Sequence, residues 1–489
     1  MTATLAPPAP PGSAAERIAR PGLILLLACV AQFMLLVDDT ITNVALPTIA
    51  ADLGFTESSL SWVVNAYLLT FGGFLLIGGR LADRFGPRRM FTLALAGFAI
   101  ASAVCGLAQD DGMLIAARAA QGIMGALLSP AALAILLATY PEGPGRRKAL
   151  GAWAALMGLG AATGLLAGGI LVEIADWRWI FLVNLPVAAA ALLAIPRILP
   201  AFDASTARPA PNIAGATLAT LSLLLLVFTV VETESEGWTS ARSLAGFAVA
   251  ALLAAVFFAT ERRSASPLIP RELLRRTRAM WADAVVFIAA GGLLAMFFFM
   301  TLYLQQVIEL SALETGLAFL PFSVTMGIAS GIVGRLPERL DARVPIGAGL
   351  VIGAIGLYLM SRLGVDSSYA GGVLPALVVT AAGLAFAFVP VMGLATGDAE
   401  ERDGGLASGL MTSAQQIGGA IGIAVMITIA TSATGDAMAT GTPQAAALVE
   451  GFQSAFRVEA AVMLAAALLA VATLRPRRSL GVANGNGAG

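Results

Sequence analysis

Fourteen stretches of this 489-residue chain are apolar and long enough to cross a lipid bilayer. A helical span needs about 20 mostly apolar residues to cross a hydrocarbon core roughly 30 Å thick. The stretches run 22–46, 60–79, 90–108, 113–138, 149–172, 179–199, 213–231, 243–260, 281–306, 314–334, 345–362, 372–396, 408–431 and 455–474. Lipid gives the backbone no hydrogen-bond partner, and no segment alternates apolar with polar as a barrel strand would, so helices are expected. Hydrophobic residues make up 58% of the chain and charged residues 12%, which excludes a soluble globular protein. The expected fold class is an all-α polytopic membrane protein with 14 transmembrane helices.

Arginine placement gives the sidedness. Of the 29 basic residues, 24 fall in one set of loops and the two tails, among them Arg80, Arg84, Arg88, Arg146, Arg262, Arg335 and Arg475. The opposite loops hold only Arg178, Arg242 and Arg362, while Arg118 and Arg457 lie in or at the end of spans. Basic loops stay on the cytoplasmic side. Both termini are therefore expected in the cytoplasm, as an even span count requires, with the protein in a bacterial plasma (inner) membrane. The Pro- and Ala-rich tail, residues 1–21, reads as disordered. The apolar run that follows Arg17 and Arg20 is too long for a signal-peptide core and reads as an uncleaved first span. The segment 266–278 mixes leucines with four arginines and reads equally as a short amphipathic surface helix or a basic loop.

Composition also removes several chemistries. The chain has no histidine, and its two cysteines, Cys29 and Cys105, lie inside spans, so no metal site, cofactor or disulfide framework is expected. The only lysine, Lys148, sits between Arg147 and Ala149, outside any phosphate loop, so ATP hydrolysis is unsupported. There is no Gly-x-Ser-x-Gly nucleophile turn, no enzyme is expected, and nothing points to nucleic acid.

An internal repeat sets the architecture. Gly79-Arg80-Leu81-Ala82-Asp83-Arg84 follows the second span, and Gly334-Arg335-Leu336-Pro337-Glu338-Arg339 follows the tenth. The offset of eight helices implies six helices, two extra ones, then six more. The expected units are a tail 1–21, a six-helix bundle 22–199, a linker 200–280 with two helices, a second bundle 281–474 and a tail 475–489. Parallel repeats of this kind place a substrate site between the halves.

Four motifs carry a resemblance over nearly the whole chain. Asp38, Thr40, Ile41, Asn43, Val44, Ala45, Leu46 and Pro47 form one in the first span. Gly79, Leu81, Ala82, Asp83, Arg84, Gly86, Arg88 and Arg89 form the loop motif, with Pro87 where a basic residue is usual. Arg118, Gln121 and Gly122 form Arg-x-x-Gln-Gly in the fourth span, and Trp177 to Phe181 with Asn184 and Pro186 follow the fifth. Together they resemble the major facilitator superfamily, specifically its fourteen-span drug:proton antiporters. The fifth-span antiporter motif keeps Gly160, Gly164, Gly168 and Gly169 but has Leu165 in place of proline, so any kink there must come from glycine.

The resemblance implies a proton-driven exporter of hydrophobic or cationic small molecules working by alternating access. A transporter-like sensor that binds without flux, or a proton-coupled uptake carrier, is the alternative. Its partners would be a small-molecule substrate, protons and the bilayer, with the chain a monomer. Ionisable groups within a membrane are costly, about 2.5–3.5 kcal/mol at a helix centre, and so point to function. Asp38 is assigned as the proton-carrying carboxylate and Arg118 as its partner, against the alternative of a static ion pair. Asp39, about 100° round the helix from Asp38, is given a secondary role. Asn43, Asn65, Gln121, Gln305, Gln306, Gln415 and Gln416 are substrate-path candidates or interhelical hydrogen-bond partners. Gly79, Asp83, Arg84, Gly86 and Arg88 are read as a conformational latch, with Asp83 facing the start of the thirteenth span near Gly404-Gly405 and the arginines facing the acidic stretch Asp398 to Asp403.

Overall fold

The computed structural model describes residues 21–140, 143–200, 212–264, 267, 277–336, 340–397 and 404–474. Among these, every regular element is helical. The first bundle comprises α1 (Pro21–Leu53), α2 (Glu57–Phe85), α3 (Pro87–Gly106), α4 (Asp111–Thr139), α5 (Pro144–Ile174), α6 (Trp179–Leu182) and α7 (Asn184–Ile198). The connecting helices are α8 (Ile213–Glu236) and α9 (Ala241–Arg263). The second bundle comprises α10 (Thr277–Gln306), α11 (Ala312–Ala318), α12 (Leu320–Val333), α13 (Arg343–Met360), α14 (Leu374–Gly397) behind a π-turn at Tyr369–Val373, α15 (Gly404–Ala439) and α16 (Gln444–Thr473).

Twelve helical segments among the described residues are long and apolar enough to span a membrane. Two shorter apolar stretches, Thr163–Ile174 and Thr217–Thr233, lie in α5 and α8. The chain is thus a multi-pass membrane protein. Two expected spans are each broken in two. The sixth is interrupted at Val183 and the tenth at Phe319, because Pro186 and Pro321 lack the N–H that would bond back to the preceding turn. Several helices also overrun their apolar cores; α16 starts eleven residues before the expected boundary at residue 455.

Glycine sets how closely the helices approach. Gly86 alone joins α2 to α3, with φ 89°, a conformation that side-chain-bearing residues rarely adopt, and Pro87 opens α3 at once. Gly78 rather than Gly79 makes the close α2–α4 contact, since a Cβ there would collide with the Ala126 carbonyl, whereas one on Gly79 would sit 3.7 Å from Pro130. Gly160, Gly164 and Gly168 form a stripe that receives Leu36, Thr40 and Ile41 of α1, and α5 runs unbroken past Leu165. Gly169 faces the other half, where a Cβ would come within 2.6 Å of the Ala312 carbonyl. The helix-five glycines therefore act in close packing.

The halves meet along two seams. One joins α2 to α15, with Gly72 against Gln416 and Ile417 and Leu76 against Gly409. The other joins α5 to α11 through Gly169 and Gly316 and is continued by Gln305, which donates to the Val44 carbonyl of α1 at 2.9 Å. Helix α8 packs on both α2 and α15, with Trp62 against Phe228 and the Thr428 hydroxyl donating to the Val230 carbonyl.

The α2–α4 contact is as tight at Gly122, where a Cβ would lie 2.5 Å from the Tyr67 carbonyl oxygen. Gly122→Ala is expected to destabilise the first bundle by about 1–3 kcal/mol, the usual range for overpacking. A thermal unfolding midpoint in detergent checks this, and an unchanged midpoint contradicts the packing described.

Candidate functional site

The first bundle closes around one polar cluster. Asp38, Arg118 and Gln121 are all fully buried. Arg118 NH1 lies 2.7 Å from Asp38 Oδ2 and donates to Gln121 Oε1 at 2.8 Å, while its Nε donates to the Val63 carbonyl of α2 at 2.9 Å. Asp38 Oδ1 accepts from Asn184 Nδ2 of α7 at 2.7 Å and from Gln121 Nε2 at 3.1 Å. Gln121 also donates to the Ser102 hydroxyl of α3 at 2.8 Å, and the Cys105 thiol donates to Gln121 Oε1 at 3.3 Å. The guanidinium lies over the Tyr67 ring at 4.4 Å and the Phe181 ring at 5.6 Å, both favourable cation–π placements.

The local sequence explains the convergence. On α4 the Arg-x-x-Gln spacing is i, i+3, which puts Arg118 and Gln121 on one face, pointing at α1. Gly122 then lets α2 come close enough to offer Val63 and Tyr67 to the guanidinium. Asn184 is the first residue of α7, and the break at Val183 sets where that helix begins. Every contact to Asp38 comes from a donor, so the geometry is that of an ionised carboxylate, which accepts and cannot donate. One guanidinium nitrogen, Arg118 NH2, has no partner among the described residues.

The expected residues are distributed unevenly. Asp38, Arg118 and Gln121 come together. Asp39 is half-buried on the neighbouring face of α1. Asn43 is buried and turns back to its own helix, donating to the Asp39 and Thr40 carbonyls at 3.4 Å. Asn65 is buried with neither side-chain atom partnered among the described residues. Gln305 and Gln416 lie on the seams, Gln415 is half-buried and Gln306 is exposed. The side chain of Asp83 and the acidic stretch Asp398 to Asp403 fall outside the described residues; Arg84 packs over Phe85 at 5.6 Å, and Arg80 donates to the Pro267 carbonyl. Outside the spans, a hydrogen bond from Arg343 holds the Asp341 carboxyl below the usual carboxylate range.

Sequence reasoning missed Ser102, Tyr67 and the direct bond from Asn184. Asn184 had a signal, as the polar residue of the motif after the fifth span. Ser102 and Tyr67 had none, because single polar atoms on apolar helices reveal their partners only once the helices pack.

The fold is an all-helical membrane bundle in two halves, the first of which encloses a buried ion pair. The chain belongs to the Major Facilitator Superfamily, whose family model matches residues 28–423. The puromycin resistance protein pur8 of Streptomyces alboniger is 39% identical over 92% of this chain and 90% of its own length. The cephamycin export protein CmcT of Amycolatopsis lactamdurans is 39% identical over 92% and 91%. Among solved structures, a bacterial homologue of the human lysosomal transporter Spinster superposes with a TM-score of 0.68 at 16% identity, covering 94% of this chain and 97% of that one, which shows the shared fold.

The two partners of the pair differ in what they can do when left alone. A stranded carboxylate can take up a proton, whereas a stranded guanidinium cannot release one. Asp38→Asn is therefore expected to destabilise the protein by about 3–5 kcal/mol, the usual cost of breaking a buried pair, and Arg118→Gln by less in mildly acidic buffer. Equal losses in thermal denaturation would contradict the asymmetry.

Proposed function

We propose that the protein is a proton-driven exporter of hydrophobic or cationic antibiotics, with 14 spans arranged six, two, six and both termini in the cytoplasm. The same reading divides the chain at 22–199, 200–280 and 281–474 and places it as a monomer in the plasma membrane. The relatives named for antibiotic resistance and export support the direction of transport.

One observation carries the coupling. Arg118 occupies Asp38 Oδ2 at 2.7 Å, the atom an incoming proton would use. Proton and guanidinium compete for the same oxygen. Protonation breaks the pair, frees Arg118 and removes the main tie between α1 and α4 on this face. Deprotonation restores it. The carboxyl O–H bond forms with a proton drawn from water on one side and breaks with release of that proton on the other. Gln121 and Asn184 hold the carboxyl group in place through both states. The substrate path runs between the halves past Asp39, Asn43, Asn65 and the seam glutamines. The latch of Asp83, Arg84 and Arg88 acts where α2 meets α15, the helix that begins at Gly404.

The test is drug movement under an imposed gradient. Purified protein in sealed liposomes is expected to accumulate puromycin against its gradient when a pH difference is imposed, and to stop when a protonophore is added. A panel of puromycin, a cephamycin and lincomycin in a pump-deficient bacterium should show resistance that the protonophore abolishes. If no compound moves in response to the pH difference, the antiport reading fails.

A further inference from the structure

The second half carries a buried acid that the Asp38 site does not use. Glu459 lies midway along the thirty residues of α16 and is fully buried. Neither carboxyl oxygen has a hydrogen-bond partner among the described residues. On the same helical face, Phe456 meets the Phe299 ring at 6.3 Å, and Met463 lies against Gly292 of α10 and near Gly353 of α13. Glu459 therefore points into the groove between α10 and α13.

Among the described residues no charge balances it there. On α10 the titratable groups are Arg278 in the first turn, near Asp341, Asp283 in the second, and Tyr303 near the last turn, whose hydroxyl donates to the Gly364 carbonyl. On α13 they are Arg343, which is paired with Asp341 at the helix start, and Tyr358, which is exposed. On α15 the one titratable group is Asp436 near the far end. On α16 itself, Arg457 is exposed and bonds Gln453, and Glu450 lies toward the helix start. Each is separated from mid-height by several turns or by the turn of the helix.

The repeat shows what has changed. Asn184 on the last helix of the first half faces α1 and α3, where it meets Asp38 and, at 3.4 Å, Ser102. Helix α16 packs in the same way on α10 and α13. The offset between the two loop motifs, 334 − 79 = 255, pairs Asp38 with Leu293 and Ser102 with Leu357. At these two positions the second half carries leucine, and its buried carboxyl group stands elsewhere, on the helix that packs against both.

We propose that Glu459 is a second proton-carrying group, loaded and unloaded in the second half independently of Asp38. An ionised carboxylate with no donor and no counter-charge in this setting is prohibitively unfavourable, so the group carries its proton in the state seen here. When water reaches the groove, the O–H bond breaks, its electron pair stays on the carboxyl oxygen and the proton passes to water. No arginine waits to hold the anion, so the half closes again only after the carboxylate has taken a proton back. The inference rests on the proton-coupled reading above and adds a second proton to it.

Two measurements test it. Infrared spectra of the wild-type protein at neutral pH should show a carboxylic-acid carbonyl band that Glu459→Gln removes. A spectrum without that band, or one that Glu459→Gln leaves intact, overturns the assignment without needing any transport. In liposomes with the membrane potential clamped, Glu459→Gln should still move puromycin but accumulate about tenfold less per unit of pH difference, the value of one lost proton, and Glu459→Asp should restore it. Unchanged accumulation beside gradient-driven wild-type flux overturns this inference alone. Wild-type puromycin flux that ignores the pH difference overturns the proton-coupled reading and this inference together.

Discussion

Hydrocarbon offers no hydrogen-bond partners, so a polar atom inside this bundle is costly unless the protein or a penetrating water supplies one. The Asp38–Arg118 pair meets that demand by drawing on most of the first half. It takes the carboxylate from α1, the guanidinium and an amide from α4, a carbonyl and an aromatic face from α2, and an amide from α7, with a hydroxyl from α3 bracing Gln121 and Asn184. Replacing such a pair with well-packed apolar residues often costs nothing, while removing one partner costs several kcal/mol. Its presence is thus weak evidence for stability as such.

Close glycine approaches hold both halves, and the first adds this polar centre to them. In the second they are Gly291 against Gly418 and Gly422, Gly349 against Gly383, and Gly356 against Thr380. Small residues let membrane helices approach until dispersion replaces the missing hydrophobic drive.

Much of the fold was legible in the chain because its cause is one-dimensional. Apolar length and arginine placement depend only on sequence, and they marked the helices, though not the breaks at Val183 and Phe319, where Pro186 and Pro321 remove one bond each. Asp38 and Arg118 were readable as a pair because charges within spans are few. Their remaining partners were not. Ser102 and the Val63 carbonyl become ligands only through the α3 and α2 approaches, and Gly122 against the Tyr67 carbonyl sets the second of these. Glu459 was visible as an acid beside Arg457 at the start of the last expected span. The longer helix that places it at mid-height was not visible, because α16 begins at Gln444 with residues too mixed to read as membrane-spanning.

Helix α8 lies across the α2–α15 seam, with Phe228 against Trp62 on one side and the Val230 carbonyl bonded to Thr428 on the other. It is tied in turn to α9 by the Ser222 hydroxyl, which donates to the Ala250 carbonyl at 2.8 Å. Parting α2 from α15 along this edge would separate α8 from one of them, uncovering the Trp62–Phe228 ring contact on one side or ending the Thr428–Val230 bond on the other. The polar cost is small, since Thr428 Oγ1 also donates to the Ala424 carbonyl and the Val230 carbonyl also accepts from Thr233. What α8 contributes to this edge is therefore mostly apolar cover over both sides of the seam.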